Sequence, residues 1–185
     1  MGTIKTTNIE PIADNGTVTL GSSGDTFTLG SGVVQSNLNY PAFEASLGAD
    51  QTISNATYTT VSASQENLDT DNAYDTSTYK FTPQVAGKYF YYSQIRFRGT
   101  VVNILNNLIL RVLKNDTSTV IGNSVMYAGS NDEQFTLNCS GTVDLNGSTD
   151  NIFYQGYASV SSGSPYFESS GTGNTSYFGA YRIGA

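Results

Sequence analysis

Histidine and tryptophan are absent from this 185-residue chain, and cysteine occurs once. Without histidine, the side chain most often used as a general base or zinc ligand near neutral pH is missing. One thiol, Cys139, cannot build an intrachain disulfide framework or a cysteine-based zinc cage. Charge is scarce as well: 12% of residues are charged, 15 acidic against 8 basic, for a formal net charge of −7. An acidic chain has no electrostatic footprint for phosphate backbones, which argues against nucleic acid as a partner. The longest apolar runs, such as Leu108–Leu110, fall far short of the roughly 20 residues of a membrane-spanning helix. The opening residues, Met1 to Thr6, lack the apolar stretch of an export signal. Work outside a cell would then need another route, of which assembly into a virus particle is one.

What the chain does contain is uncharged polarity and aromatic bulk. Ser, Thr and Asn make up roughly one-third of it, beside 19 glycines, 13 tyrosines and 9 phenylalanines. That is not the charged, aromatic-poor composition of a disordered chain. The length suits one domain with a short appendage, and the composition changes near residue 40. Residues 1–40 hold two short alternating stretches, Thr17–Leu20 and Thr26–Leu29, separated by Gly21–Gly24 and followed by Gly30–Gly32. A strand pair this small cannot stand alone in water. Residues 1–40 therefore read as a stalk or attachment segment that pairs with neighbouring chains or docks on the domain, or else as a flexible Gly/Ser linker.

Residues 41–185 read as strand after strand. Lys88–Arg98 is the strongest, with Tyr89, Tyr91, Ser93, Ile95 and Phe97 on one face and Phe90 and Tyr92 on the other. Apolar bulk on both sides predicts that both are covered. Phe135, Leu137, Cys139, Val143 and Leu145 alternate with polar neighbours across Gly141, which predicts a half-buried strand with a bulge or break, and a Cys139 that packs as a small core residue. Ile104–Leu113 fits a helix or a strand, and the Lys114–Asp116 turn signal favours the strand. Tyr177–Ile183 forms a last strand with Tyr177, Tyr181 and Ile183 on one face. Many short strands and almost no helix predict an all-β antiparallel sandwich or barrel.

Within 69–93, Asp69, Tyr74, Phe81, Gly87 and Tyr89 fall at the spacings of an aromatic motif. That motif resembles the globular head of complement C1q and its tumour-necrosis-factor-like relatives. The Pro41–Ala45 stretch is similar to the family's first strand, Leu113–Asn115 to one of its turns, and Tyr177–Ile183 to its last strand. The chain departs at Tyr91, where Phe is usual, at Ser93, which replaces an aromatic, and at Ala63, where the motif opens with Phe. The resemblance implies a ten-stranded jelly-roll head that assembles as a homotrimer. It places Phe43, Tyr74, Phe81, Gly87, Tyr89, Phe90, Tyr91, Tyr92, Phe178 and Tyr181 in the core or at the trimer contact. The Thr/Gly segment before the head resembles repeats in bacteriophage tail-fibre and other virion proteins. No Gly-X-Y repeat exists, which excludes a collagen stem.

Candidates for chemistry are few. Paired carboxylates could serve a glycosidase-like reaction, and Asp69, Asp71 and Asp75 cluster, as do Asp132 and Glu133. Turn residues are commonly acidic, and no spacing places either set in a cleft. Asp69, Asp71 and Asp75 also offer hard oxygen ligands for calcium, although Ala73 occupies a position where an EF-hand needs a ligand. Ligand recognition would fall to aromatics on polar loops: Tyr127 near Gly122–Glu133, and Tyr166 and Phe167 within Ser161–Gly173. The competing reading has each ring folded back as an anchor beneath its own loop. The expectation is a non-enzymatic, homotrimeric, tail-fibre-like virion protein without an obligatory cofactor. Its N-terminal segment would bind other virion proteins and its head a host-surface glycan or protein. Capsid decoration, a fibre-assembly role without a host ligand, and a carboxylate-based glycan depolymerase are the alternatives.

Overall fold

The computed structural model describes residue 26 and residues 41–102, 104–127, 133–169 and 175–184. The stalk expected over 1–40 therefore lies, apart from residue 26, outside the described residues. Thirteen strand segments follow: β1 (Ala42–Ser46), β2 (Gln51–Thr52), β3 (Thr59–Thr60), β4 (Gln65–Asp69), β5 (Tyr74–Asp75), β6 (Lys80–Phe81), β7 (Gly87–Gly99), β8 (Leu105–Lys114), β9 (Val120–Tyr127), β10 (Gln134–Leu145), β11 (Ile152–Val160), β12 (Pro165–Phe167) and β13 (Tyr177–Gly184). No helix occurs among the described residues. Several segments of two or three residues carry the number beyond the ten expected.

The strands form two antiparallel sheets. In the first, β4, β1, β13, β7 and β10 lie side by side. Beyond the end of β13, β12 takes its place against β7 and carries β2 outside it. In the second, β5, β6, β11, β8 and β9 follow one another, with β3 beside β11. The ambiguous Ile104–Leu113 stretch is strand β8, and Leu108, Leu110 and Val112 point from it into the core. Pairing with β9 and β11 on both edges decides the matter, since a strand satisfies its backbone only through neighbours.

The core lies between the sheets and is strongly aromatic. Phe43 stacks on Phe81 at 4.2 Å and on Tyr74 at 4.9 Å, and meets Phe178 edge-on at 5.1 Å. Tyr89 adds an edge contact to Phe81, and Tyr154 stacks on Phe178. Each ring buried this way contributes roughly 2 kcal/mol, with about 1 kcal/mol more for a well-oriented pair. The motif spacing thus reflects one cluster assembled from β1, β5, β6, β7 and β13. The buried phenols of Tyr74 and Tyr89 donate to the carbonyls of Ala63 and Val85, at 2.8 and 2.7 Å. At the start of β7, Gly87 has φ 153°, and a side chain there would run into the Gly184 carbonyl and the Arg182 guanidinium.

One strand differs from expectation. β10 runs from Gln134 to Leu145 in unbroken register with β7, with no bulge at Gly141. Gly141 serves another purpose: Tyr91 on β7 lays its ring across it, and the phenol reaches past Gly141 to Gly122 on β9. There the hydroxyl donates to the Ile121 carbonyl at 2.9 Å. Cys139 is half-buried on the same side, close to where a side chain at Gly122 would stand, and burial pushes its thiol pKa up.

Candidate functional site

The alternation of β7 divides its aromatics between two environments. Tyr89, Tyr91, Ile95 and Phe97 face the core and are fully or almost fully buried. Phe90, Tyr92, Gln94, Arg96 and Arg98 face away from it and stay half-exposed. Register brings Tyr177, Gly179 and Tyr181 of β13 opposite Gln94, Tyr92 and Phe90. Phe90 and Tyr181 approach to 5.5 Å, and Tyr92 meets Tyr177 edge-on at 6.1 Å. Gly179 leaves room for the Tyr92 ring, which any side chain there would strike. The Tyr92 hydroxyl donates to Glu44 Oε2 at 2.8 Å on β1, and burial, then this contact with a carboxylate, push its pKa well up. Tyr181 and Ile183 remain 45% and 47% exposed. The sheet face turned away from the core is therefore an apolar patch that the described residues leave uncovered.

The sequence-level trimer-or-core group accordingly separates. Phe43, Tyr74, Phe81, Tyr89, Tyr91 and Phe178 lie in the core, whereas Phe90, Tyr92 and Tyr181 lie on the open face. The expectation that both sides of Lys88–Arg98 are covered holds for one side only among the described residues.

The three aromatics expected at a ligand are not brought together. Phe167 is a correction: it lies in β12 with no exposure, edge-on to Phe97 at 5.5 Å and against Gly156, so no surface ligand can touch it. Pairing of β12 with the far end of β7 turns it inward. Its neighbour Tyr166 faces outward opposite Arg98 on the first sheet. Arg96 and Arg98 both contact Glu168 there, at 3.1 and 2.7 Å. Tyr127 ends β9 on the outer face of the second sheet, 80% exposed.

The calcium reading is also corrected. Asp69 Oδ1 accepts from the Asp71 amide at 3.2 Å and its Oδ2 from the Tyr74 amide at 2.7 Å. Asp75 accepts from the Ser77 and Thr78 hydroxyls and amides, which together hold its pKa down at about 2. These carboxylates are spent in shaping turns, and no group of three His, Cys, Asp or Glu suited to a metal exists among the described residues. Beside them an open cleft of about 430 Å³ is lined by Glu66, Asn72, Asp75, Thr76, Thr82 and Gln84. Asp75 enters it, Asp69 and Asp71 do not, and Asp132 lies outside the described residues.

A surface that sequence reasoning missed occupies the outer face of the second sheet. Tyr58, Arg111, Gln155 and Tyr157 meet there. Arg111 lies 3.6 Å over the Tyr58 ring, and its Nε and Nη2 donate to Gln155 Oε1 at 3.0 and 2.6 Å. Tyr58 and Tyr157 stand 5.0 Å apart. Nothing in the sequence announced the cluster, because it draws on the loop before β3, on β8 and on β11.

No family model and no curated protein sequence matches the chain. Solved structures do. Murine APRIL at pH 5.0 superposes with a TM-score of 0.57 at 15% identity, covering 78% of this chain and 99% of that one. Eiger TNF from S. frugiperda gives 0.50 at 10% identity, over 78% and 91%. The globular domain of zebrafish complement 1qA gives 0.48 at 16% identity, over 77% and 97%. At such identities the likeness speaks of fold alone: the chain is an antiparallel jelly-roll sandwich similar in fold to murine APRIL and Eiger TNF. No helix among the described residues is long and apolar enough to cross a membrane.

Proposed function

We propose that the chain is a non-enzymatic, homotrimeric virion protein of the tail-fibre type, whose head attaches the particle to a host-surface glycan or protein. The observation that carries the assembly is the open aromatic face of β7 and β13. Partly exposed Phe90, Tyr92 and Tyr177 beside exposed Tyr181 and Ile183 are what a subunit contact needs, and heads of the resembling family associate through the corresponding sheet. The N-terminal Thr/Gly repeats support a fibre setting, with residues 1–40 contacting other virion proteins.

Light scattering tests the reading. A trimer of 19.7 kDa chains scatters as three chains, and a stable monomer at low micromolar concentration would overturn the assembly. Attachment is tested separately, by saturable binding of the labelled protein to bacterial cells. Binding to capsids instead would favour decoration, and release of reducing ends from polysaccharide would favour a depolymerase.

A further inference from the structure

We infer that the outer face of the second sheet is a binding site for carboxylate-bearing sugars, centred on Arg111. This deepens the adhesin reading above and rests on it for the biological setting.

The face is organised in rows across three strands. Register aligns Gln155, Arg111 and Asn123 in one row and Tyr157, Ile109 and Val125 in the next. Residues two apart on a strand are about 7 Å apart, so a polar row carrying one cation borders an apolar row at that spacing. A pyranose has matching halves, with an apolar C–H face and a polar rim. When the rim bears a carboxylate, the cation matches it, and the apolar face packs on Tyr157 and Val125, which is 44% exposed.

On the second sheet charge singles out Arg111, since Arg182, likewise without an ion pair among the described residues, lies in β13 of the first sheet with its Nε donating to the Ala86 carbonyl at 3.0 Å. Lys88, Arg96, Arg98 and Lys114 each have a carboxylate partner within the chain. Lys80 sits over Phe153 on the same face, but lies opposite Asp75 in the β5–β6 pair. Arg111 makes no ion pair among the described residues, and its row neighbours are both neutral amides. Gln155 and Tyr58 hold the guanidinium in place through Nε, Nη2 and one flat face, and no described residue takes a hydrogen bond from Nη1. A fixed guanidinium loses little freedom when a carboxylate docks. The −7 net charge of the chain acts through a medium that 0.15 M salt screens within about 8 Å, so the local cation decides. An acidic peptide is disfavoured, because the backbone groups of β8 and β11 are spent in the sheet and no strand edge is offered here.

The test uses the full-length protein and oligosaccharide pairs that differ only in the carboxylate: sialyllactose with lactose, and oligogalacturonate with its methyl ester. At least one acidic member should bind saturably and about tenfold or more tighter than its neutral mate, the size of a charge-assisted contact. Arg111→Gln should abolish that difference. So should Asn123→Glu, which places a negative charge beside Arg111 from an exposed position and spares the core. Equal binding within each pair, no binding by any acidic sugar, an undiminished preference in both variants, or binding of oligoglutamate in place of sugar would overturn the site. Cell binding separates the two claims. Saturable attachment that Arg111→Gln leaves unchanged, together with no Arg111-dependent sugar preference, would sink this site and keep the adhesin. Arg111-dependent sugar binding without any cell attachment would keep the site and sink the adhesin.

Discussion

Gly141→Ala is the sharpest probe of how the two sheets are joined. A methyl group at this position would stand 2.5 Å from the Tyr91 hydroxyl oxygen and 2.8 Å from the carbon that bears it. Tyr91 cannot swing away, since its hydroxyl is held by the Ile121 carbonyl and its tip abuts Gly122. Overpacking of this kind costs about 1 to 3 kcal/mol. Against it runs the entropy that glycine gives the unfolded chain, so alanine recovers about 0.5 to 1 kcal/mol. The clash wins, and the net loss should be about 1 to 2 kcal/mol, or about 3 to 6 °C in Tm for a chain of this length. Tyr91→Phe alone loses one hydrogen bond, roughly 1 kcal/mol. It also withdraws the oxygen that the new methyl strikes, so in the double variant the two losses should fall short of their sum by about 1 kcal/mol. Urea or thermal unfolding at one fixed protein concentration measures all four forms, which matters because assembly makes Tm concentration-dependent. Additivity within about 0.4 kcal/mol would refute the account of why these glycines are glycine.

Tyr181→Ala with Ile183→Ala should leave the fold intact and weaken self-association. Both side chains are about half exposed, so full burial is worth roughly 1 kcal/mol each per copy, and dilution light scattering should show dissociation at higher concentration than for the parent. Gly87→Leu should unfold the head, because φ 153° and the Gly184 carbonyl both exclude a side chain; a folded variant by circular dichroism would contradict the placement of Gly87. Phe167→Ala should cost about 3 to 5 kcal/mol as a core deletion, whereas half-exposed Tyr166→Ala should cost far less in the same unfolding assay. Asp75 has a folded pKa of about 2, below its unfolded value, so its contribution is present above pH 4 and fades as pH falls towards 2. Asp75→Asn should flatten stability against pH in that acid window, and a chelator should change neither Tm nor mass.

Much of the fold was legible because local signals agreed. The thirteen residues of β7 alternate cleanly, and Asp69, Tyr74, Phe81, Gly87 and Tyr89 carry their spacing into one cluster. The errors share a physical cause. Phe167 reads as a loop aromatic because nothing near it in sequence reveals that β12 pairs with the end of β7. Gly141 reads as a break because its reason is a tyrosine on the neighbouring strand. Asp69 and Asp75 read as metal ligands until their oxygens are seen accepting amides and hydroxyls two to five residues on. The Arg111 face was invisible altogether, since three distant segments build it.

The position of β13 also bears on how the domain is made. It comes last among the thirteen described strands, yet it lies inside the first sheet, between β1 and β7. During synthesis β1 emerges first and must wait for β13 before its inner edge has a neighbour, and β7 waits likewise. Contacts that span nearly the whole domain slow folding, and the waiting edges are exposed to other nascent chains. On a polysome that makes many copies side by side, the same delay brings several unfinished heads within reach of each other.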